Sequence, residues 1–172
     1  MNHHYYPQTL KIMKNSIHIR AAKREDVPVL FSLIEALADY EKLPRPEPEA
    51  RERLLRDGFG NSPRYEALLA ELHGQPVGYA FFFETYSSFL ATPTLYLEDI
   101  FVIPEARGKG AGKALFEFCV SEAVRRDCGR MEWAVLDWNK PAIELYRRYG
   151  AHYLREWCLF RLTAEQLQNL AK

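Results

Sequence analysis

The sequence has no net charge, few cysteines and no long apolar run, and these absences narrow the possible classes of protein. Its 172 residues include 23 Lys and Arg and 23 Asp and Glu, so the formal net charge is zero. No overall basic field is present to hold nucleic acid or an anionic membrane, and any phosphate recognition must be local. No uncharged apolar run approaches the roughly 18–20 residues of a membrane span, and the N-terminal segment lacks the apolar centre of a signal peptide. We expect a cytoplasmic protein without a nucleic-acid or membrane partner.

The cysteines and histidines do not form a recognisable metal or disulfide pattern. Cys119, Cys128 and Cys158 are an odd number and lack a CxxC spacing, which excludes a disulfide framework and disfavours a zinc site. His3 and His4 are adjacent in a polar segment, where such a pair is more often incidental than a metal ligand. We expect no metal.

The composition, with 48% hydrophobic and 27% charged residues, is typical of a globular protein. We predict an N-terminal tail over residues 1–15 and one domain over residues 16–172. Apolar periodicity predicts the order β, α, α, β, β, β, α, β, α, β, α, in which the last strand is AHYLREWCLFRL. This order predicts a mixed α/β (α+β) fold with antiparallel strands early, a later strand-helix-strand crossover and flanking helices.

A glycine-rich run, ARGKGAGKAL, opens the third predicted helix. Gly108, Gly110 and Gly112 lack side chains where backbone N–H groups at a helix N-terminus could approach a phosphate. The alternative is a flexible turn. Two known phosphate-binding patterns fail here: a Walker loop would need Gly at Arg107 and Ser or Thr at Ala114, and a dinucleotide fingerprint starting at Gly108 would need Gly at position 113. The pattern R-x-x-G-x-G, after a strand that contains an acidic pair, indicates acyl-coenzyme A.

The acidic pair lies in the predicted strand TLYLEDIFVIP. Burying Glu98 and Asp99 among apolar neighbours without partners would be costly. Because side chains alternate along a strand, we expect the two carboxylates to face opposite sides of the sheet. One would then pair with a nearby cation while the other faces a substrate.

In these motifs the chain resembles the GNAT superfamily of acetyl-CoA-dependent N-acetyltransferases. The resemblance runs from Ile17 to Leu162 and includes LADYEKL, DGFG, TYSSF, LYLEDIFVIPEARGKGAG and AVLDWNKPAIELYRRYGA, followed by Trp157. Within the superfamily these motifs are similar to the branch that holds spermidine/spermine N1-acetyltransferases and thialysine N-epsilon-acetyltransferases. The resemblance implies the GNAT fold, with a central, mixed and mainly antiparallel sheet, and a homodimer in which the C-terminal strand contributes to the interface.

The resemblance also implies two catalytic residues. Glu98 would accept a proton from the acceptor amine, and Tyr146 would protonate the thiolate of coenzyme A as it leaves. The alternative for Tyr146 is a core position, because Ala142, Leu145, Tyr146 and Tyr149 share one helical face. With Tyr146 as the acid, Tyr149, one turn away, is expected to be a packing residue.

The cosubstrate implied by the resemblance is acetyl-CoA, bound along the strand, the glycine-rich loop and the following helix. Asn139 has the alternative role of a helix cap. The expected cofactor-binding residues are Ile100, Phe101, Val102, Arg107, Gly108, Lys109, Gly110, Ala111, Gly112, Lys113, Asn139, Lys140, Pro141, Ala142 and Tyr146.

The acceptor implied by the resemblance is a small cationic amine, which suits acidic and aromatic side chains. For Glu41 the alternative is a solvated charge. Polyamine enzymes carry an acidic residue and a tryptophan where this chain has Ser87, Ser88 and Phe89, which favours a thialysine-like or lysine-like acceptor over a polyamine. The expected acceptor-binding residues are Tyr40, Glu41, Glu98, Asp99, Glu132, Trp133, Ala134, Glu156 and Trp157.

Three alternatives to this activity stay open at this point. The first is acetylation of the diamines and polyamines themselves, such as spermidine and spermine. The second is a coenzyme A-binding module without catalysis, which the presence of both Glu98 and Tyr146 disfavours. The third is N-acetylation of proteins, which needs an open peptide groove.

Overall fold

The structure is a computed structural model that describes residues 17–172. The predicted N-terminal tail, with His3 and His4, lies outside the described residues. The chain divides into two compact units: unit 1 ends at Ala134, and unit 2 is Val135–Lys172. A single domain over residues 16–172 stays a prediction, and each unit is described by itself.

Five strands and five α-helices account for the regular structure of the described residues, together with short 3-10 turns at Arg24–Asp26 and Pro104–Ala106. The elements are β1 (Ile17–Ala21), α1 (Val27–Glu41), α2 (Ala50–Phe59), β2 (Glu66–Leu72), β3 (Gln75–Ser87), β4 (Thr92–Val102), α3 (Ala111–Arg125), β5 (Arg130–Trp133), α4 (Lys140–Arg148) and α5 (Ala164–Leu170).

Unit 1 contains one five-stranded sheet in the order β1-β2-β3-β4-β5. The first four strands pair antiparallel, and β4 and β5 pair in parallel across the connection that contains α3. Parallel neighbours need a crossover of this kind, because a tight turn joins only antiparallel strands. The predicted mixed α/β fold with a mainly antiparallel sheet is confirmed.

The sheet buries a core against α1 on one face. Leu30 and Leu33 of α1 pack with Tyr79 of β3 and Phe101 of β4. Apolar residues at helical spacing form one stripe, and burial of that stripe stabilises the helix on the sheet. We call the side of the sheet that carries this cluster the α1 face.

Helix α3 is associated with the opposite face, where three carboxylates share an arginine whose side chain is only 9% exposed. Arg126, at the end of α3, lies over the ring of Phe82 and bonds to Glu66 at 2.8 Å, Glu84 at 2.9 Å and Glu122 at 3.0 Å. Glu122 of α3 is only 4% exposed. Its pairing with arginines makes that burial tolerable.

The predicted last strand is wrong. The segment AHYLREWCLFRL, residues 151–162, forms no strand in the structure, and α4 and α5 are the regular elements described in unit 2. A strand needs a neighbour to satisfy its backbone N–H and C=O groups, and the described residues of unit 2 offer none. The predicted strand MEWAVLDW, residues 131–138, forms only in part, because β5 ends at Trp133.

Among the described residues, no helix combines the length and apolar character needed to cross a bilayer.

Candidate active site

The pairing of β3 with β4 contains one extra residue, Glu98. Phe81 lies opposite Asp99 while Phe82 lies opposite Leu97, so Glu98 forms a bulge. Directly paired residues share a face of the sheet. Leu97 therefore lies with Phe82 on the α3 side, and Asp99 lies with Phe81 on the α1 face. Because a bulge interrupts alternation, Leu97 and Asp99 lie on opposite faces although they are two residues apart. That Glu98 and Asp99 face opposite sides stays a prediction.

Asp99 accepts a hydrogen bond from a buried phenol. The hydroxyl of Tyr79 donates to Oδ2 of Asp99 at 3.0 Å. Burial raises the pKa of Asp99 to about 6; the bond from Tyr79 opposes this shift, and the charges of Glu98 and Glu41 add to it. Asp99 is therefore a carboxylate whose ionised form lacks compensation by a positive charge.

Three carboxylates of unit 1 share this lack of a cation. Glu41, Glu98 and Asp99 form no ion pair with any residue that the structure describes, and burial raises the pKa of Glu41. By contrast, Arg20 beside Asp26 lowers the pKa of that carboxyl group. We call Glu41, Glu98 and Asp99 the carboxylate group. The charges of Glu98 and Glu41 act on Asp99, and all three residues were predicted to bind the acceptor.

Tyr40 connects the end of α1 to the glycine-rich loop. The guanidinium of Arg107 lies 4.3 Å from the centre of the Tyr40 ring and 5.7 Å from that of Phe101. Its Nε donates to the carbonyl of Val102 at 3.0 Å. Arg107, predicted to bind a cofactor, is thus placed beside the aromatic side chains that neighbour the carboxylate group.

The end of β4 has an open edge. β5 pairs with β4 only as far as Trp133 opposite Leu97, whereas β4 continues to Val102. Ile103 donates to the carbonyl of Val77 at 2.9 Å. Since hydrogen-bonded and non-bonded pairs alternate in antiparallel strands, the backbone groups of Phe101 point to β3. Those of Ile100 and Val102 point to the opposite edge, where no strand among the described residues pairs with them.

The N-terminus of α3 lies next to this edge. Gly108 and Gly110 have positive φ angles of 74° and 94°, which favour glycine. The amide of Ala114 bonds to the carbonyl of Gly110 at 2.9 Å, so the amides of residues 111–113 precede the first bond of the helix. A side chain at Gly112 would begin 3.7 Å from Cγ2 of Val102, which places the helix N-terminus against the end of β4.

Three predicted acceptor residues, Glu132, Trp133 and Ala134, lie on β5 or directly after it. The ring of Trp133 packs edge-on against Phe116 of α3, with 5.4 Å between ring centres, and so belongs to the α3 side. Glu132 forms an ion pair with Arg130 at 3.1 Å. Ala134 is the last residue of unit 1.

The remaining predicted residues belong to unit 2. Asn139 occupies the N-cap position of α4, and residues 140–142 form the first turn of that helix. Tyr146 is buried, at 8% exposure, whereas Tyr149 is 40% exposed. Both Glu156 and Trp157 are exposed. The catalytic roles of Tyr146 and Glu98 stay predictions.

Sequence reasoning missed Tyr79. Its only signal is a hydroxyl within the apolar strand VGYAFFFETY. The partner of that hydroxyl depends on the register of β3 with β4 and on the bulge. Neither can be predicted from the sequence of one strand.

The described residues contain no group of three or more His, Cys, Asp and Glu side chains arranged to hold a metal ion.

Comparison with known proteins identifies close relatives. The model of the acetyltransferase (GNAT) family matches residues 30–151. The thialysine N-epsilon-acetyltransferase of Bos taurus is 39% identical over 166 residues, which cover 90% of this chain and 97% of the relative. The L-ornithine N5-acetyltransferase NATA1 of Arabidopsis thaliana is 45% identical over 95 residues, which cover 55% of this chain and 42% of that protein.

Among solved structures, an integron cassette protein from the mobile metagenome of V. cholerae superposes with a TM-score of 0.78. The match covers 91% of this chain and 98% of that protein at 24% identity. At this identity the likeness concerns the fold alone.

The raised pKa of Asp99 predicts that its ionisation destabilises the fold. Since the folded-state pKa is about 6 and the ordinary value is 3.8, the destabilisation is absent below pH 4 and complete above pH 6. The variant Asp99→Asn, which keeps an oxygen for Tyr79, should raise the free energy of unfolding at pH 8 by about 1–2 kcal/mol and change it little at pH 4. Urea denaturation at both pH values measures this.

The control for this experiment is Asp39→Asn. Arg45 lowers the pKa of Asp39, so this variant should gain no stability when the pH is raised. Equal stability of Asp99→Asn and the parent protein at pH 8 would contradict the assignment of Asp99 as a destabilising carboxylate.

Proposed function

The chain belongs to the acetyltransferase (GNAT) family and is an N-acetyltransferase; on this premise we propose that it transfers the acetyl group of acetyl-CoA to the terminal amine of a small, lysine-like acceptor. The observation that carries the choice of a cationic acceptor is the carboxylate group of Glu41, Glu98 and Asp99. These side chains form no ion pair within the described residues, and two of them have raised pKa values. A bound ammonium group would supply the missing positive charge.

The chemistry explains why the acceptor needs a carboxylate as well as a binding site. An alkylamine with a pKa near about 10 is almost wholly protonated at neutral pH, and only its neutral form attacks a thioester. Glu98 is exposed on the bulge of β4. In the proposal it accepts the proton of the bound ammonium, directly or through water.

The open edge of β4 and the N-terminus of α3 fit acetyl-CoA, which supplies an activated acetyl group as a thioester when it is bound. The outward backbone groups of Ile100 and the outward amide of Val102 suit an extended ligand that contains amides. The first amides of α3, at residues 111–113, suit its pyrophosphate. Lys109 adds positive charge to the loop, with its Nζ donating to the carbonyl of Glu105 at 3.0 Å.

Unit 2 would contribute the remaining groups of the reaction. Tyr146 is proposed as the acid that returns a proton to the leaving thiolate. Asn139 and residues 140–142, at the start of α4, are proposed to contact the arm of the cosubstrate. Glu156 and Trp157 are proposed acceptor contacts.

The proposed acceptor has a distal amine on an amino-acid framework. Relatives named for thialysine and for L-ornithine acetylation share this chemistry. The absence of an acidic residue at Ser87, Ser88 and Phe89 supports the same choice. Ser87 is buried and its Oγ accepts from the amide of Leu90 at 3.2 Å, so it closes the turn between β3 and β4. Polyamines are the second candidate acceptors.

A panel of amines tests the proposal. Thialysine, L-lysine, L-ornithine, putrescine, spermidine and spermine are assayed for release of free thiol from acetyl-CoA. We expect the amino acids with a distal amine to give the highest kcat/KM. A wide margin in favour of spermidine would move the assignment to polyamines. Tight coenzyme A binding in calorimetry, with no amine acetylated, would support a binding module without catalysis and overturn the proposed activity.

The variant Tyr146→Phe tests the proposed acid. It should lower kcat by about 10²-fold or more and leave the affinity for acetyl-CoA nearly unchanged, because the ring is kept. Steady-state kinetics and calorimetry of cosubstrate binding measure the two quantities. Weakened cosubstrate binding at an unchanged kcat would instead identify Tyr146 as a binding or packing residue.

We also propose that the enzyme is a homodimer in which residues 151–162 pair with the other copy. This segment has a strand-like sequence, forms no strand in the single chain and exposes Trp157, Leu159 and Phe160. A strand from a second copy would satisfy its backbone groups and cover Leu159 and Phe160.

Sedimentation equilibrium tests this assembly. The parent protein should sediment as a dimer, and Phe160→Glu should shift it to the monomer, because Phe160 is 90% exposed in the single chain and a charge is poorly tolerated inside an interface. Val124→Glu, at an exposed position of α3, is the control and should stay dimeric. A monomeric parent protein, or dissociation by the control alone, would contradict the proposal.

The cysteines support a cytoplasmic location, which is part of the proposal. All three are free thiols: Cys119 is buried, Cys128 is partly buried and Cys158 is exposed. An exposed free thiol suits a reducing compartment.

A further inference from the structure

We propose that Tyr79 is a positioning residue for the acceptor amine: its hydroxyl holds Oδ2 of Asp99 and leaves Oδ1 to receive the ammonium group. The inference rests on the proposed function, because it assigns Asp99 to binding of the cationic acceptor. It goes beyond that function by giving a role in catalysis to a residue of the core. Tyr79 itself does not touch the acceptor in this proposal.

The packing of Tyr79 fixes the position of its hydroxyl. The residue has no exposed surface and packs in one cluster with Leu30 and Leu33 of α1 and Phe101 of β4. The centre of its ring lies 6.5 Å from that of Phe101. A ring held in a close-packed core has little freedom to move, so the hydroxyl marks a defined point 3.0 Å from Oδ2 of Asp99.

The hydrogen bond occupies one of the two oxygens of Asp99. Within the part of the chain that the structure describes, no other donor to its side chain is present. A carboxylate has acceptor capacity on both oxygens, so Oδ1 keeps its capacity for a ligand. Asp99 is half-buried rather than enclosed, which leaves it accessible from solvent.

The charged surroundings make this bond important for the ionisation of Asp99. Glu98 on β4 and Glu41 on α1 raise the pKa of Asp99, while Tyr79 on β3 lowers it. Arg107, over the rings of Tyr40 and Phe101, is a neighbouring cation on this side. Burial also raises the pKa of Tyr79, so the phenol remains a donor throughout the working range of pH.

The choice of tyrosine at this position is therefore informative. A phenylalanine would fill the same space among Leu30, Leu33 and Phe101 without a polar atom to satisfy. A buried hydroxyl needs a partner, and here the partner is a carboxylate of the carboxylate group. The bond favours the ionised form of Asp99, which is the form that attracts an ammonium.

The variant Tyr79→Phe tests the proposal. Without the hydroxyl, the pKa of Asp99 should rise, so the acid limb of kcat/KM for the amine should move to higher pH by about 0.5–1 unit. Since the pKa of Asp99 starts at about 6, this shift lowers its ionised fraction at pH 6.5, and the KM for the amine should rise by about 1.5-fold to threefold. At pH 8 and saturating amine, kcat should change by less than about twofold, since the proton-accepting and proton-donating groups remain.

Tyr65→Phe is the matched control. Tyr65 is also a buried tyrosine of unit 1, and its hydroxyl donates to the carbonyl of Leu54 at 2.6 Å. This variant loses a buried hydroxyl of the same kind and should leave the pH profile where it is. Thermal unfolding of both variants shows whether the fold is kept.

A double-mutant cycle separates positioning from packing. In the Asp99→Asn background no carboxyl group titrates at position 99, so adding Tyr79→Phe should produce no further shift of the acid limb. An unshifted profile in Tyr79→Phe alone, or an equal shift with and without Asp99→Asn, would overturn the inference. Failure of the parent protein to acetylate any amine would instead overturn the proposed function, which makes the two failures distinguishable.

Discussion

Glu98 of β4 has no partner residue in β3 and forms a bulge. The arrangement of the candidate site depends on this bulge. Before the bulge, Leu97 lies with Phe82 on the α3 side; after it, Asp99 and Phe101 lie on the α1 face. If alternation continued without interruption through Leu97, Glu98 and Asp99, Asp99 would share the face of Leu97 and could not reach Tyr79. The bulge costs regular pairing at one position and places a carboxylate beside a buried phenol.

The same region of β4 joins two surfaces of opposite chemistry. On one side are carboxylates without a cation; next to the strand end are the amides that begin α3 and the basic residues 107, 109 and 113. The formal net charge of zero conceals this local division. A site that binds both an ammonium group and a cosubstrate with a pyrophosphate needs negative and positive side chains close to each other. Screening by salt is least effective at such short distances.

The helices and most strands could be predicted from the sequence because their patterns are local. Apolar spacing indicated α1 and α3, and alternation indicated the hairpin of β2 and β3. The prediction that failed depended on a partner outside the local segment: the predicted strand at residues 151–162 has no neighbouring strand in the described unit to satisfy its backbone groups.

The sequence by itself determined the mixed α/β class, the glycine-rich start of α3, the acidic pair on β4 and the resemblance to GNAT acetyltransferases, since each is carried by residues close together in the chain. Only the tertiary structure decided which carboxylates act on one another, that Trp133 packs against α3, and that the hydroxyl of Tyr79 meets Asp99. The physical reason is that these contacts depend on strand register. A bulge changes the face of every side chain that follows it, relative to regular alternation. The local sequence pattern does not show where such a bulge occurs.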